Sequence, residues 1–525
     1  MTNKIMQNNS LYNINQNKIL QDKLSTQMST QKKLTRPSDD PVVAIRALRL
    51  RSSVSELVQY EEKNAPDADS WLKVTSDGLG TVTEILTNMS TNANKGANKD
   101  LTPDDLDIIV TQIKSLTSEF YATGNLDYAG RFVFTGYRTN TPMSFTQSDV
   151  SDVVNPIPDY NITEQKKLAD LDSINYTSQG KIKGANKNNY TESEHAGAKE
   201  TEVTNGDIHR LRLAYDDVKA GTTPTIKVLG PDGSVRTTVA VTDTKSINDT
   251  PDPYEDILDA NENGTDKVIF VPETGEILFS DSSFASSFLS NDSEIRVTYD
   301  KESSTWKNGD LRPEHYFACT STDNSKTPAE VINYNSDYLN QLYDKRVRQT
   351  IEYDVGYNQT IQINTTADEV FTHNLNRDVT DLQKALNDLK DIFTTKNELE
   401  DILKNMDPSD AGYNDLKLQV NAANKAYDYI RDNIHGIMEK MITKTQDYLD
   451  ATNVAVTDNG TRSSRLDLIS KRLTEQKTTF KTLQSENEDV DIAEVAIELT
   501  SAELTYSSSL MGTGKIMQTT LMNYI

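Results

Sequence analysis

The last stretch of this chain carries an apolar pattern of helical period that nothing nearby in sequence can bury. Ile492, Val495, Leu499, Ala502, Tyr506, Ser509, Thr513, Ile516 and Thr520 follow one another in steps of three and four, the spacing that lines one face of a helix. Ala496, Leu510, Met517, Leu521 and Tyr524 widen the stripe, while Gly512 and Gly514 weaken it. A helix from Ile492 to Ile525 would be roughly 50 Å long at about 1.5 Å per residue. Its stripe has to meet another helix, and the natural candidate is the other terminus.

That terminus is thinner. Residues 1–31 are dominated by Asn, Gln, Ser and Thr, with Ile5, Tyr12, Ile19, Leu20, Leu24, Met28 and Leu34 at near-helical intervals. Short polar side chains compete with the backbone for hydrogen bonds, so this segment is expected to be helical only when packed. Arg36-Pro37-Ser38-Asp39-Asp40-Pro41 breaks it. Ser38, Asp39 or Asp40 can cap the next helix, with Pro41 in its first turn. Val42, Ile45, Leu48, Val54 and Leu57 then carry a helix to about Tyr60, and Pro66 is expected to kink or interrupt it. Trp71 to Met89 resume the period, a loop follows around Asn92 to Asp100, and a third helix starts at Pro103.

Past Gly136 the chain changes character. Thr225–Leu229 and Ser234–Val239 flank Gly230-Pro231-Asp232-Gly233, and Lys267–Val271 and Glu276–Phe279 flank Glu273-Thr274-Gly275. Both are hairpin signatures. Glu294–Tyr299 adds a strand, and a short helix is expected near Ile208 to Tyr215. Helical period returns near Arg377 and holds to the end. The fold class expected is therefore mainly α at both chain ends, with paired terminal coiled-coil helices forming a rod and a β-rich region inserted between. The expected division is 1–40 plus 484–525 as a terminal helical assembly domain, 41–141 plus 354–483 as an α-helical rod, and 142–353 as a β-rich outer insertion.

A formal net charge of −26 and a pI of about 4.7 argue against nucleic acid, whose phosphates need basic surface. The start, from Met1 to Ser10, lacks the apolar core of a secretory signal. No window approaches the roughly 20 apolar residues of a membrane span. Catalysis finds little support. The five histidines are dispersed, and the lone Cys319 is better read as a buried structural residue than as a nucleophile activated by His315. Asp39-Asp40 fits a helix cap better than a carboxylate pair. Glu486, Glu488, Asp489 and Asp491 lack the glycine turn of a calcium loop and fit negative charge at a helix N-terminus. No cofactor, metal or catalytic residue is expected.

Several segments resemble one family. Arg36-Pro37-Ser38-Asp39-Asp40-Pro41-Val42-Val43-Ala44 is similar to the turn after the first helix of flagellin-like proteins. Gly130-Arg131-Phe132-Val133-Phe134-Thr135-Gly136 resembles that group's Gly-Arg-Tyr-Ile-Phe-Ala-Gly segment, and Thr141-Pro142-Met143-Ser144-Phe145 is similar to the family's next few residues. Arg465-Leu466-Asp467, Glu488–Glu494, Leu499, Glu503, Tyr506, Ser509-Leu510 and Gln518–Ile525 resemble its C-terminal signature. The resemblance covers about residues 1–145 and 350–525. The hook–filament junction branch fits better than flagellin itself, which usually has Ala-Ala-Gly at Pro41-Val42-Val43 and Gln-Asn-Arg-Leu at Ser463-Ser464-Arg465-Leu466. The middle insertion is longer than the family's usual one.

The resemblance implies a structural, non-enzymatic subunit of the bacterial flagellum joining hook to filament. It would leave the cell unfolded through the flagellar export apparatus, without a cleaved signal, and become ordered on assembly. With its own hairpins, the insertion, about Pro142 to Tyr353, is expected to be dispensable for export and incorporation. Implied partners are other copies in a ring, the preceding hook-associated junction protein, flagellin and an export chaperone. The alternatives are a flagellin filament subunit and a surface adhesin displaying the β insert. The expected assembly interface is Leu24, Leu34, Ile492, Val495, Leu499, Tyr506, Leu510, Ile516 and Leu521. The residues carrying the family motif are Arg36, Pro37, Ser38, Asp39, Asp40, Pro41, Gly130, Arg131, Phe134 and Gly136.

Overall fold

A computed structural model describes residues 3–345 and 347–521, with side chains at all of these except 3, 344 and 516–521. Eleven α-helices are formed among them: α1 (Asn3–Thr30), α2 (Pro41–Gln59), α3 (Ala65–Gly96), α4 (Pro103–Thr123), α5 (Gln147–Ser151), α6 (Pro253–Asn263), α7 (Asp281–Ser287), α8 (Ala367–Val370), α9 (His373–Lys404), α10 (Tyr413–Glu488) and α11 (Ile492–Leu521). The strands are β1 (Asp127–Tyr128), β2 (Arg131–Phe132), β3 (Asp159–Lys166), β4 (Asp172–Ser178), β5 (Thr204–Arg212), β6 (Thr225–Leu229), β7 (Val235–Val239), β8 (Asp243–Thr244), β9 (Val268–Val271), β10 (Glu276–Phe279), β11 (Glu294–Lys301), β12 (Ala318–Asp323), β13 (Glu330–Tyr334), β14 (Glu352–Gly356) and β15 (Gln359–Gln362). Helical ends around a β-rich middle are thus the architecture.

Local chemistry explains the boundaries. The Asp40 carboxylate accepts from the Val42 and Val43 amides at 3.0 and 3.1 Å, with Pro41 in the first turn of α2. α4 opens on a reciprocal box in which Thr102 and Asp105 each satisfy the other's backbone amide. Pro66 does not interrupt the helical path as expected. A π-turn, Tyr60–Asn64, precedes α3; the wider i→i+5 spacing makes room where a proline ring would crowd an α-helical carbonyl. The loop expected from Asn92 begins later, since α3 runs to Gly96.

The chain forms two compact units: Met1–Asp69 with Glu352–Ile361 and Ser463–Ile525, and Ser70–Ile351 with Gln362–Arg462. The first holds 16 Lys and Arg against 19 Asp and Glu; the second holds the other 38 and 61.

In the second unit two antiparallel-rich sheets pack face to face. One has the order β13-β12-β3-β11-β6-β7, the other β4-β5-β10-β9-β8. Both expected hairpins form, as β6–β7 and β9–β10. Between the sheets lie Ile162, Ile226, Ile295 and Val297 from one, and Leu211, Phe270, Ile277 and Phe279 from the other. Alternate residues Ile208, Ile269, Val271 and Leu278 face away and are covered by Tyr254 and Ile257 of α6. The helix expected near Ile208 to Tyr215 is instead β5. Ile208, Arg210, Leu211 and Arg212 are all buried, because that strand is central in a sheet covered on both faces, so alternation is lost.

The helices of this unit join the sheets through ions. Arg210 and Arg212 on β5 reach α9: Arg210 Nη2 and Arg212 Nη1 both donate to Asp381 Oδ2, at 2.6 and 2.8 Å, and Arg212 Nη2 donates to Asp378 at 2.7 Å. Glu276 of β10 and Asp172 of β4 complete Arg210's shell at 2.5 and 3.1 Å. Lys444 and Tyr448 of α10 donate to Asp378, each at 2.7 Å. Burial works to raise the Asp172 carboxyl, but Lys444 and Arg210 prevail and bring it down to about 2. Asp381 is likewise held low, against burial, by the two guanidiniums. The inserted sheets are therefore bound to the helices by a buried network of ion pairs.

Candidate assembly surface

The first unit gathers both chain ends. Gln31 to Lys33 and Glu488 to Val490 cross as a short antiparallel clasp: Lys33 N donates to Glu488 O at 2.7 Å and Val490 N to Gln31 O at 3.2 Å. Arg51 of α2 forks onto the Glu488 carboxylate at 2.7 and 2.6 Å, and Lys32 Nζ meets Asp489 at 2.5 Å. Arg51 holds the Glu488 carboxyl below its ordinary value, and Lys32 does the same for Asp489. Two of the four acids expected to favour a helix N-terminus are thus clasp ligands. Asp491 does cap α11, accepting from Ala493 N at 2.9 Å.

Beyond the clasp α1 and α11 lie side by side. Leu24, Val495 and Ala502 form a buried cluster, with Val490 and Leu499 packed against it. Further along, Ile14 of α1 is buried in the seam, but its neighbours there are polar: Gln7, Ser10, Asn17 and Gln21 face it from α1, and Tyr506, Ser509 and Thr513 from α11. Asn17 Nδ2 lies 3.5 Å from Ser509 Oγ. The better apolar faces look away. Ile5, Tyr12 and Ile19 repeat at seven-residue steps on α1, 48%, 63% and 62% exposed. Ile497, Leu504 and Met511 do the same on α11, at 71%, 70% and 66%.

The expected interface residues divide accordingly. Leu24 and Val495 are buried in the seam, and Leu499 and Tyr506 are half-buried along it. Leu34 is half-buried after the clasp, while Ile492 and Leu510 are exposed. The side chains of Ile516 and Leu521 lie outside the described ones. The outward trio on α11 was missed, although its seven-residue spacing is legible. No sequence signal marks Arg51 and Glu488, 437 positions apart.

The motif residues build two turns. In the first unit Asp39 N donates to Arg36 O at 3.0 Å and Arg36 N to the Asp39 carboxylate at 3.2 Å, which sets Pro37 and Ser38 in a tight bend ahead of the Asp40 cap and Pro41. In the second unit β1 and β2 are joined by Ala129 and Gly130, both at positive φ, a two-residue turn matched to strand twist. Arg131 lies over the Trp71 ring at 5.1 Å. Phe134 is fully buried against Phe371. At Gly136, φ is +60° and a Cβ would come within 2.5 Å of Gln349 Oε1.

Cys319 sits in the core between the sheets, where burial pushes its thiol up and away from a reactive thiolate. His315 is held down to about 4 by burial and contacts the Pro142 carbonyl at 3.1 Å. Among the described residues no group of three or more His, Cys, Asp or Glu is placed to hold a metal ion. No described helix is long and apolar enough to cross a membrane.

The two chain ends are thus helical and lie together, with large apolar side chains of each facing outward. Residues 1–139 match the bacterial flagellin N-terminal helical region. It is 31% identical over 120 residues to flagellar hook-associated protein 3 of Escherichia coli, covering 23% of this chain and 38% of that protein. The Salmonella typhimurium protein of the same name is 30% identical over 118 residues, 22% of this chain and 37% of that one. The chain thus spans little more than a third of the length of the curated relatives it matches. Two solved structures align more widely at low identity. FlgL of Xanthomonas campestris is 10% identical over 83% of this chain and 99% of that one, with a TM-score of 0.25. The flagellar junction protein FlgL of Legionella pneumophila is 10% identical over 80% and 99%, also with a TM-score of 0.25.

Proposed function

We propose that this chain is a non-catalytic structural subunit of the bacterial flagellum that joins the hook to the filament. The observation that carries this is the inverted amphipathicity of the terminal helix pair. The seam between α1 and α11 buries Ile14, Leu24, Val495 and Ala502, while Ile5, Tyr12, Ile19, Ile497, Leu504 and Met511 face out. A helix pair with its apolar faces outward is stabilised when neighbouring copies cover them. Contacts of this kind, made between unlike faces, build rings or open helical arrays. Residues 1–40 with 484–525 act as the assembly domain in this proposal, and the rest as rod and outer insertion. The partners are further copies, the preceding hook-associated protein, flagellin and an export chaperone. Export proceeds unfolded, and the termini become ordered as copies assemble.

The test is location and abundance. Antibody labelling of purified hook–filament particles should mark a narrow band at the joint, with the chain a scarce species in sheared flagella. A dominant band would make it a filament subunit, and absence from the particles would refute the proposal.

A further inference from the structure

Beside α2 lies a concave apolar notch of about 180 Å³, walled by Leu34 and Pro37 from the preceding turn and by Val43, Ala44, Ala47 and Leu48. α2 has no buried residue of its own. Its Val42, Ile45 and Leu48 are 67%, 54% and 63% exposed. Arg46 and Arg49, one turn apart, stand exposed among them, and Arg36 lines the notch. Among the described residues none of these three guanidiniums has an ion-pair partner. A face that is apolar and cationic calls for an apolar knob flanked by carboxylates.

The chain supplies one. The outward trio of α11, Ile497, Leu504 and Met511, is rimmed by exposed Glu494, Glu498 and Glu503, and no Lys or Arg occurs between Lys481 and Lys515. Those three carboxylates also have no cationic partner among the described residues. One molecule cannot join the two faces. α2 runs beside the end of α10, where Asn487 Nδ2 donates to Val43 O at 3.3 Å and Arg51 holds Glu488. α11 leaves the clasp in the company of α1.

We propose that the notch and basic apolar face of α2 on one copy seat the acid-rimmed stripe of α11 on a second copy displaced along the arm. The proposal rests on the assembly role above and names its contact. α1 is the poorer occupant of that stripe, since Lys4, Lys18 and Lys23 are spread along its length with Asp22 among them. Arg46 and Arg49 fall within one turn, as Glu494 and Glu498 do. The joined faces are unlike, so the contact cannot close as a twofold dimer. Its ionic part weakens with salt.

Full-length chains carrying R46E/R49E, E494R/E498R, or all four substitutions test this by sedimentation at low salt. Each pair alone should reduce oligomer formation about tenfold or more, and the four together should restore most of it, as coupled charges do. Failure of the fourfold variant to recover while its monomer stays folded overturns the proposal. Cysteines at Leu48 and Leu504 should form an intermolecular disulfide, and cysteines at Tyr12 and Leu504 should not. The reverse result assigns the α11 stripe to α1, ending this proposal but not the assembly role. If the unmodified chain neither oligomerises nor appears in flagella, the assembly role itself falls.

Discussion

Substituting Asp381 by alanine tests whether the inserted sheets and the helices of the second unit are one cooperative body. Asp381 Oδ2 accepts from two buried guanidiniums, those of Arg210 and Arg212. Removing one partner of a buried ion pair costs about 3–5 kcal/mol. Arg210 keeps Glu276 and Asp172, and Arg212 keeps Asp378, which points to the lower end, about 3 kcal/mol. For a unit of this size that is a fall of roughly 4 °C in the unfolding midpoint. The chain's two tryptophans make the assay specific: Trp71 lies on α3 and Trp306 between the sheets. Single-tryptophan chains (Trp306→Phe or Trp71→Phe) then report helices and insertion separately, and D381A should lower both transitions together. The deficit also has a pH signature. The folded carboxyls of Asp172 and Asp381 are depressed, so their contribution is fully present above the unfolded value of about 3.9. It is lost as pH falls through the folded values, that of Asp172 being about 2. The gap between D381A and the parent should therefore be widest near neutrality and narrow below about pH 3. If the Trp306 transition shifts while that of Trp71 holds, the network does not couple the two parts and the reasoning is wrong.

Further outcomes are expected elsewhere in the chain. Glu488→Gln should weaken the Arg51 fork and the Lys32 contact by about 1 kcal/mol and speed amide exchange in α1 and α11, leaving the second unit's amides unchanged; equal exchange throughout the first unit would deny the clasp its role. Leu24→Ala should weaken pairing of α1 with α11 by about 2 kcal/mol, visible as reduced incorporation into assemblies while the second unit melts unchanged. Leu510→Asp, on an exposed position, should leave the monomer's melting unchanged and impair assembly, and a monomer that melts earlier would place Leu510 in a core. Cys319 should resist alkylation in the native chain and react once it unfolds; rapid native labelling would contradict its burial.

Much of this architecture is written in local pattern. The three-four stripe from Val495 to Thr513 does line the seam, Thr102 does open α4, and the Gly-rich linkers after Leu229 and Val271 do turn hairpins. These rest on interactions within a few residues. What escaped depends on distant partners. β5 reads as a helix because Ile208, Leu211 and Tyr215 fall at helical spacing, while the sheet layers that bury both its faces come from far along the chain. Nothing near Arg210 and Arg212 in sequence marks them as buried, since Asp378 and Asp381 stand more than 160 positions away. The stripe on α11 is legible but its two faces are not told apart by spacing. Leu499 and Leu510 both belong to it, yet one lies along the seam and the other faces solvent.

The uneven distribution of charge between the two units has a consequence for how an array of such chains would meet others. The first unit is close to neutral, while the second carries a net charge of −23. Copies joining through their first units do little Coulombic work against one another. Each nevertheless brings a strongly acidic body with its own cloud of counterions, and at physiological ionic strength those clouds extend about 8 Å. Two finished arrays approaching sideways would have to squeeze those clouds out, at an osmotic cost that rises with every subunit along their length. Growth at an end meets that cost for one subunit at a time, whereas lateral bundling meets it along the whole length at once. Such arrays should therefore stay single in solution and cluster only when divalent cations or high salt collapse the ion layer.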